Sequence, residues 1–330
     1  MGFAKSSRTS WPCVALERAN LADRTTLGVG GDVEWLLEPA DPAEMQAAWV
    51  ACIERGGRPR VLGGGANLVI DDGLLPGAVI ATRRMGRIFR PRGPDEASVL
   101  DAAELPSDRI AAVDPAADPR LVAWAGASLP GLVRAARDLG YAGLEGLVGV
   151  PGHVGGATAM NAGGRWGDFW DVVESVRVLE PDGHVRDLAR ADVTPSYRDG
   201  GLDDRTVLGS VLRLRPEPRS DIRERMRTYL LEKKRVQPVT ESSAGCIFKN
   251  PDPEVSSGRS AGRLIEECGG KGLTRGAAAV SPLHGNFIIN GGGATATDVF
   301  LLMDALRDLV AERPGIVLEF EVRRWRRASA

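Results

Sequence analysis

The run Gly143-Leu144-Glu145-Gly146-Leu147-Val148-Gly149-Val150-Pro151-Gly152-His153-Val154-Gly155-Gly156, leading into Ala159-Met160-Asn161-Ala162-Gly163-Gly164, decides how the sequence is read. It has little side-chain volume to pack and is entropically costly to order. A chain keeps such a stretch ordered where a large flat or charged ligand lies against its backbone. Upstream, Gly63-Gly64-Gly65-Ala66-Asn67 is a second segment of the same kind. A Rossmann turn requires G-x-G-x-x-G opening a helix. Here the sixth position is Leu68, and Leu68-Val69-Ile70-Asp71 has the character of another strand. Successive amides in a strand–loop–strand turn can cradle a phosphate; a plain hairpin turn is the other reading of that segment. Two such segments on one chain point to a dinucleotide held without a Rossmann fold.

Working outward, 330 residues exceed the size at which one hydrophobic core keeps growing, so two or three domains are expected. Lys plus Arg number 42 against 44 acids, a net charge of −2, which gives no electrostatic reason to expect nucleic acid or an anionic membrane as partner. No apolar run approaches the length that spans a bilayer. Cys13, Cys52, Cys246 and Cys268 lie far apart without a Cys-x-x-Cys pair, and the three histidines are as scattered, so no metal site is expected. The same spacing excludes a disulfide framework and fits a reducing, cytoplasmic setting. Met1-Gly2-Phe3-Ala4-Lys5-Ser6 has the bare outline of a myristoylation signal, a pattern short enough to arise by chance, and lacks the apolar core of a signal peptide.

Punctuation by Gly and Pro separates the elements. Asp41-Pro42-Ala43-Glu44 reads as a helix N-terminus, with Met45, Ala48, Trp49 and Cys52 on its inner face and Gly56-Gly57 at its end. Cys52 is therefore a core residue. Ser128 opens a second helix carrying Leu132, Val133, Ala136 and Leu139 up to Gly140, Ser220 a third through Ile222, Met226 and Leu230, and Thr297 a fourth through Val299, Leu302, Leu306 and Leu309. Strands are expected at 61–62, 68–70, 78–80, 176–178 and 287–289. Helices and strands alternate without a steady βαβ rhythm, so the fold class is α+β. The stretch from Arg90 to Arg120, rich in Pro, Asp and Ala, reads as a surface excursion.

Further motifs stand in fixed order around the glycine segments: Thr25-Thr26-Leu27-Gly28-Val29-Gly30-Gly31, Ser196-Tyr197-Arg198-Asp199, Lys234-Arg235-Val236-Gln237-Pro238, Ser243-Ala244-Gly245-Cys246-Ile247-Phe248-Lys249-Asn250-Pro251, Ala261-Gly262-Arg263-Leu264-Ile265-Glu266, His284-Gly285-Asn286-Phe287 and Leu318-Glu319-Phe320-Glu321-Val322. In this order they resemble the UDP-N-acetylenolpyruvoylglucosamine reductase family over nearly the whole chain, in its shorter form without a substrate-clamping tyrosine loop. The resemblance implies an FAD-binding domain of the vanillyl-alcohol-oxidase (PCMH) type in two subdomains, 1–84 and 85–216. A smaller α+β substrate-binding domain, 217–330, would follow, with a C-terminal catalytic strand. It implies FAD and NADPH as cofactors, a UDP-sugar as substrate, and a monomer or weak homo-oligomer.

The resemblance also assigns residues. Gly63, Gly64, Gly65, Ala66, Asn67 and Leu68 fall where the family holds its flavin. So do Gly149, Pro151, Gly152, Val154, Gly155, Gly156, Asn161, Ala162 and Gly163. Arg198 matches the family's carboxylate-binding arginine, whose fork suits a bidentate contact as lysine would not. Glu321 matches a glutamate that acts on the same carboxylate and is expected to be protonated when substrate binds; burial makes such a state feasible. Glu319, two residues earlier, would face away on a strand. Cys246 stands where many relatives carry a serine proton donor. A thiol is the stronger acid yet stays mostly protonated near neutral pH, so the role is preserved. Tyr197, Arg235, Lys249, Asn250 and His284 fall where relatives contact the UDP moiety or the nicotinamide nucleotide. His153 and His184 receive no role, the latter being expected in a solvent-facing turn. A flavin oxidase using oxygen and a catalytically silent flavin or UDP-sugar sensor are the rival readings. Thiol chemistry at Cys246 predicts that peroxide inactivates the parent protein faster than Cys246→Ser; equal sensitivity in a timed inactivation assay contradicts the assignment.

Overall fold

The computed structural model describes residues 10–91 and 118–327. The Met1–Ser6 motif and most of the Arg90–Arg120 excursion lie outside the described residues. The chain divides into two compact units. One comprises residues 1–16, 35–64 and 77–232, the other 17–34, 65–76 and 233–330. Helices and strands are mixed in both, as an α+β class requires.

In the first unit the largest sheet is five-stranded and antiparallel. Its order is Val185–Ala189, Val173–Leu179, Thr206–Arg213, Arg120–Trp124, Ile88–Phe89. Helix Leu129–Leu139 packs in the same core through Leu132, Val133, Ala136 and Leu139. Its ends follow the sequence: the Ser128 hydroxyl accepts from the Gly131 amide, and Gly140 closes it at φ 75°, a left-handed conformation that glycine adopts without Cβ strain. Burying a leucine such as Leu132 contributes roughly 1.5–3 kcal/mol. Helix Pro42–Glu54 is capped by the Asp41 carboxylate, which accepts from the Glu44 amide at 2.8 Å. Met45, Ala48, Trp49 and Cys52 are buried, so Cys52 is core, and burial pushes its thiol up to about 12.

A four-stranded sheet has the order Val14–Asn20, Asp32–Glu38, Leu75–Ala81, Arg60–Leu62, the last pair being parallel. The hairpin reading of residues 63–67 is therefore excluded. Arg60–Leu62 pairs with Leu75–Ala81, whereas Leu68–Ile70 takes Arg323–Trp325 as its parallel partner.

The second unit is built on an antiparallel sheet in the order Ser243–Cys246, Phe287–Asn290, Ala278–Val280, Thr274–Arg275. Helices Ala261–Glu267 and Ala296–Glu312 share its core through Leu264, Ile265, Val299, Leu302, Met303 and Leu306. Two helix starts differ from the sequence expectation. The last long helix is capped by Thr295, not Thr297. Thr295 Oγ1 accepts from the Asp298 amide, while Thr297 bonds Asp72. Helix Arg219–Val236 begins one residue before Ser220, whose hydroxyl donates to Asp221 instead of capping.

A shielded polar cluster lies next to strands Ile88–Phe89 and Arg120–Trp124. Arg120 grips Asp118 through Nε and Nη2 (2.9 and 2.7 Å) and lies 3.7 Å from Glu174. The Asp118 carbonyl accepts from Arg90 Nη2 and from the Tyr141 hydroxyl. The Arg120 hydrogen bond holds the Asp118 carboxyl below its ordinary range. Arg120→Met is expected to cost about 3 kcal/mol in urea denaturation near neutral pH, since it strands the shielded Asp118 carboxylate, while Glu174 keeps Arg213. A depressed carboxyl pKa stabilises the fold above its unfolded value, and that contribution disappears as pH falls through the folded value. The gap between parent and variant should thus narrow below about pH 4. A gap independent of pH contradicts the assignment.

Candidate active site

In the first unit the glycine segments meet backbone to backbone. A Cβ on Gly64 would lie 2.6 Å from Gly152 Cα and 3.0 Å from the His153 nitrogen, so only glycine fits the crossing. Around Gly63 and Gly156, by contrast, a Cβ would meet nothing within 4 Å. Packing therefore gives no reason for glycine at these two positions. The Val154 and Gly155 amides donate to the carbonyls of Ala127 and Ala125, and Gly152 accepts from Leu129 (2.8–3.0 Å). Residues 152–155 are thereby fixed as a smooth wall. His153 sits in this wall; burial, then the Arg83 charge, holds its pKa below the usual value.

Asn161, Tyr197 and Arg198 gather nearby in the same unit. Asn161 has φ 43°, and its side chain bonds the Ser196 carbonyl and the Trp170 amide, both at 3.1 Å. Ser196 and Asp199 exchange backbone hydrogen bonds across a tight turn. Arg198 occupies its third position at φ 60°, a left-handed conformation costly for a side chain of this size. Its Nη1 donates to the Gly163 carbonyl at 3.1 Å, and the guanidinium lies 5.1 Å from the centre of the Tyr197 ring.

In the second unit, Cys246 and Glu321 stand on bonded backbones. The Ile247 carbonyl accepts the Glu321 amide at 2.8 Å, Lys249 donates its amide to the Glu319 carbonyl, and Phe248 bridges to Phe320. Asn67 clamps the other side: Nδ2 donates to the Glu321 carbonyl at 3.1 Å, and its own carbonyl accepts from Arg323. Glu321 itself precedes strand Arg323–Trp325, so the expected catalytic strand starts two residues late and Glu321 lies in an irregular lead-in before a bend at Val322. Glu319 is exposed and paired with Lys249 Nζ at 3.2 Å, as an outward-facing residue should be.

Of the expected nucleotide contacts, Arg235 and His284 line one cavity of about 560 Å³ together with Ser260, Gly262, Arg263 and Glu266. His284 Nδ1 accepts from the Asn286 amide, leaving Nε2 as the protonated donor. Burial, then Lys271, lowers the pKa of this imidazole. Gly262 makes room for the ring: a Cβ there would lie 2.7 Å from Cε1. Lys249 and Asn250 are outside this lining; Asn250 Oδ1 accepts from Ala261 at the start of the adjacent helix. Tyr197 belongs to the other unit and is half exposed. Sequence reasoning passed over Arg263, although it sits inside the motif 261–266. Its helix spacing one turn from Glu266 and Glu267 was the available signal.

The family model for an FAD binding domain matches residues 33–189, which makes the chain a flavoprotein by class. The model for the UDP-N-acetylenolpyruvoylglucosamine reductase C-terminal domain matches residues 237–325. A UDP-N-acetylenolpyruvoylglucosamine reductase of Deinococcus radiodurans is 39% identical over 316 residues, covering 94% of this chain and 96% of its own. One from Moorella thermoacetica is 36% identical, covering 98% and 97%. The crystal structure of UDP-N-acetylenolpyruvylglucosamine reductase from Thermus caldophilus superposes with TM-score 0.72 at 36% identity, over 94% of this chain and 98% of that one. The chain belongs to the UDP-N-acetylenolpyruvoylglucosamine reductase family.

The strained turn makes a prediction of its own. Arg198→Gly should leave the thermal unfolding midpoint no lower than the parent's, because glycine relieves the left-handed strain, while substrate-dependent turnover is lost. A drop of several degrees with activity retained would assign Arg198 a purely structural part.

Proposed function

We propose that this chain reduces the enolpyruvyl ether of a UDP-N-acetylglucosamine to its lactyl ether, with FAD resident and NADPH as reductant. The reaction is a cytoplasmic step in making peptidoglycan precursors, and the enzyme acts as a monomer or weak homo-oligomer. Within the described residues no helix is long and apolar enough to cross a membrane. In this reading residues 1–84 and 85–216 are the flavin-binding subdomains and 217–330 the substrate-binding domain. The observation that carries it is the pairing of the segment after Cys246 with that of Glu321, in a chain of this family.

The residues fit FAD. The wall at 152–155, the open faces of Gly63 and Gly156, and a buried His153 Nδ1 without a hydrogen-bond partner among the described residues form a cradle in need of a ligand. Gly63, Gly64, Gly149, Pro151, Gly152, Val154, Gly155, Gly156, Asn161, Ala162 and Gly163 would hold it in the first unit; Gly65, Ala66, Asn67 and Leu68 belong to the same assignment. When bound, FAD supplies the transfer of reducing equivalents from NADPH to the substrate double bond.

The chain's own groups supply the rest. Negative charge builds on the substrate carboxylate during reduction. Arg198, pre-set by its turn and by the Gly163 carbonyl, meets that charge as a planar fork. Glu321 in its protonated form donates to the same carboxylate. Cys246 gives its proton to the carbon beside the carboxylate, and the thiol is restored from solvent. Arg235, His284, Lys249, Asn250 and Tyr197 take the UDP moiety, the first two from the cavity they share.

Cys246→Ala is expected to leave NADPH-driven bleaching of the flavin spectrum intact under anaerobic conditions. Reoxidation by the enolpyruvyl UDP-sugar should slow by at least about a hundredfold, the scale of a lost general acid. Reoxidation at the parent's rate overturns the assignment of Cys246.

A further inference from the structure

We propose that the imidazole of His153 is a ligand for the diphosphate of the bound dinucleotide, donating Nδ1–H to a phosphate oxygen. The proposal rests on the FAD reading above and adds to it a residue that neither sequence spacing nor motif singles out.

Four observations converge on it. The backbone at His153 is immobilised on both sides. Gly152 accepts from Leu129, Val154 donates to Ala127, His153 accepts from Ala157 through its carbonyl, and the residue bridges to Ser128. The backbone that carries the ring is thus held in place by the fold before any ligand arrives. Its Nδ1 is buried and has no hydrogen-bond partner among the described residues. Buried polar atoms are almost always paired, so the missing partner comes with a ligand. The Gly63–Gly64 loop crosses at this residue, close enough that a Cβ on Gly64 would press on the His153 backbone nitrogen. Both glycine segments therefore meet at the backbone that carries this imidazole. Finally, burial and then the Arg83 charge hold the imidazole pKa below its usual value, which keeps the ring neutral with one N–H to donate.

A cation, a neutral N–H and two side-chain-free loops suit an oxyanion, and the only oxyanion of the dinucleotide is its diphosphate. The oxidised isoalloxazine offers carbonyl acceptors but no net charge, so the Arg83 charge favours the diphosphate over the ring. An anion seated there also offsets the Arg83 charge that the free site leaves beside the ring.

The test compares holoenzyme with His153→Phe, which keeps a flat ring and removes both nitrogens, and with His153→Asn, whose side-chain amide places a donor near the Nδ1 position. FAD dissociation is followed by recovery of flavin fluorescence on dilution, and the bound cofactor by its phosphorus NMR spectrum. His153→Phe should hold FAD about tenfold more weakly and move the bound phosphorus resonances toward those of free FAD. The visible flavin bands should stay unmoved, and His153→Asn should retain most of the affinity. Unchanged affinity and phosphorus shifts in His153→Phe overturn the proposal. So do flavin bands that shift while phosphorus resonances do not, which would put the imidazole against the isoalloxazine. Should His153→Phe fold poorly, His153→Asn against His153→Ala decides by the same readouts. A parent protein that holds FAD in this way but leaves the enolpyruvyl UDP-sugar unreduced would defeat the function proposed above and leave His153 as diphosphate ligand.

Discussion

The carbonyl of Ile247 ties together two segments of the second unit. It accepts the Glu321 amide at 2.8 Å and the Val322 amide at 3.3 Å, so the segments carrying a thiol and a carboxyl group are bound to each other at the peptide next to each. Asn67 fixes the outer side of the same strand lead-in from a third part of the chain. Beneath these bonds lies a continuous core that includes Ile247, Phe248, Leu318 and Val322, with helix Ala296–Glu312 packed into it. The two groups to which we assign proton donation thus sit on backbone and core, and not on free loops. A catalytic pair must hold its geometry to within a fraction of an ångström, and rigid support of this kind provides that.

The first unit solves a different problem with backbone alone. Its glycine loops contribute almost no side-chain packing, so their order comes from hydrogen bonds between loops, Val154 to Ala127 and Gly155 to Ala125, and from the direct crossing of Gly64 over Gly152. Such a surface has no apolar payload of its own, and its stability is completed by what binds it. Arg198 is held in the same manner. A left-handed turn that costs conformational energy is maintained by Ser196–Asp199 hydrogen bonds and by Asn161, itself at positive φ. Strain at two neighbouring polar residues marks a place where orientation of a cation outweighs local comfort.

Much of this was legible in the sequence, and for identifiable reasons. Helices Pro42–Glu54 and Leu129–Leu139 announce themselves because cap, first-turn proline, apolar period and stop signal all agree. The cap at Thr295 was misplaced to Thr297 because both residues are threonines before the same apolar period. What separates them is a tertiary contact, Asp72 on Thr297, that no local pattern encodes. The same limit applies to residues 63–67. Local sequence sees strand, turn, strand, and only the distant partner Arg323–Trp325 reveals that the two strands do not form a hairpin. Motif order alone drew attention to Arg198, Cys246 and Glu321, whose roles we propose. His153 stands out only in the structure, through an unpaired nitrogen and not through its neighbours along the chain.

The central claim is that the bound enolpyruvyl UDP-sugar, not oxygen, is the acceptor served by Arg198, Cys246 and Glu321. Mass analysis of the nucleotide sugar after anaerobic incubation with the protein and NADPH tests it most directly. The account predicts that each NADPH consumed adds two hydrogen atoms to one molecule of the sugar and converts its vinyl group to a lactyl group. A sugar recovered unchanged, with NADPH oxidised only when oxygen is admitted, would contradict it.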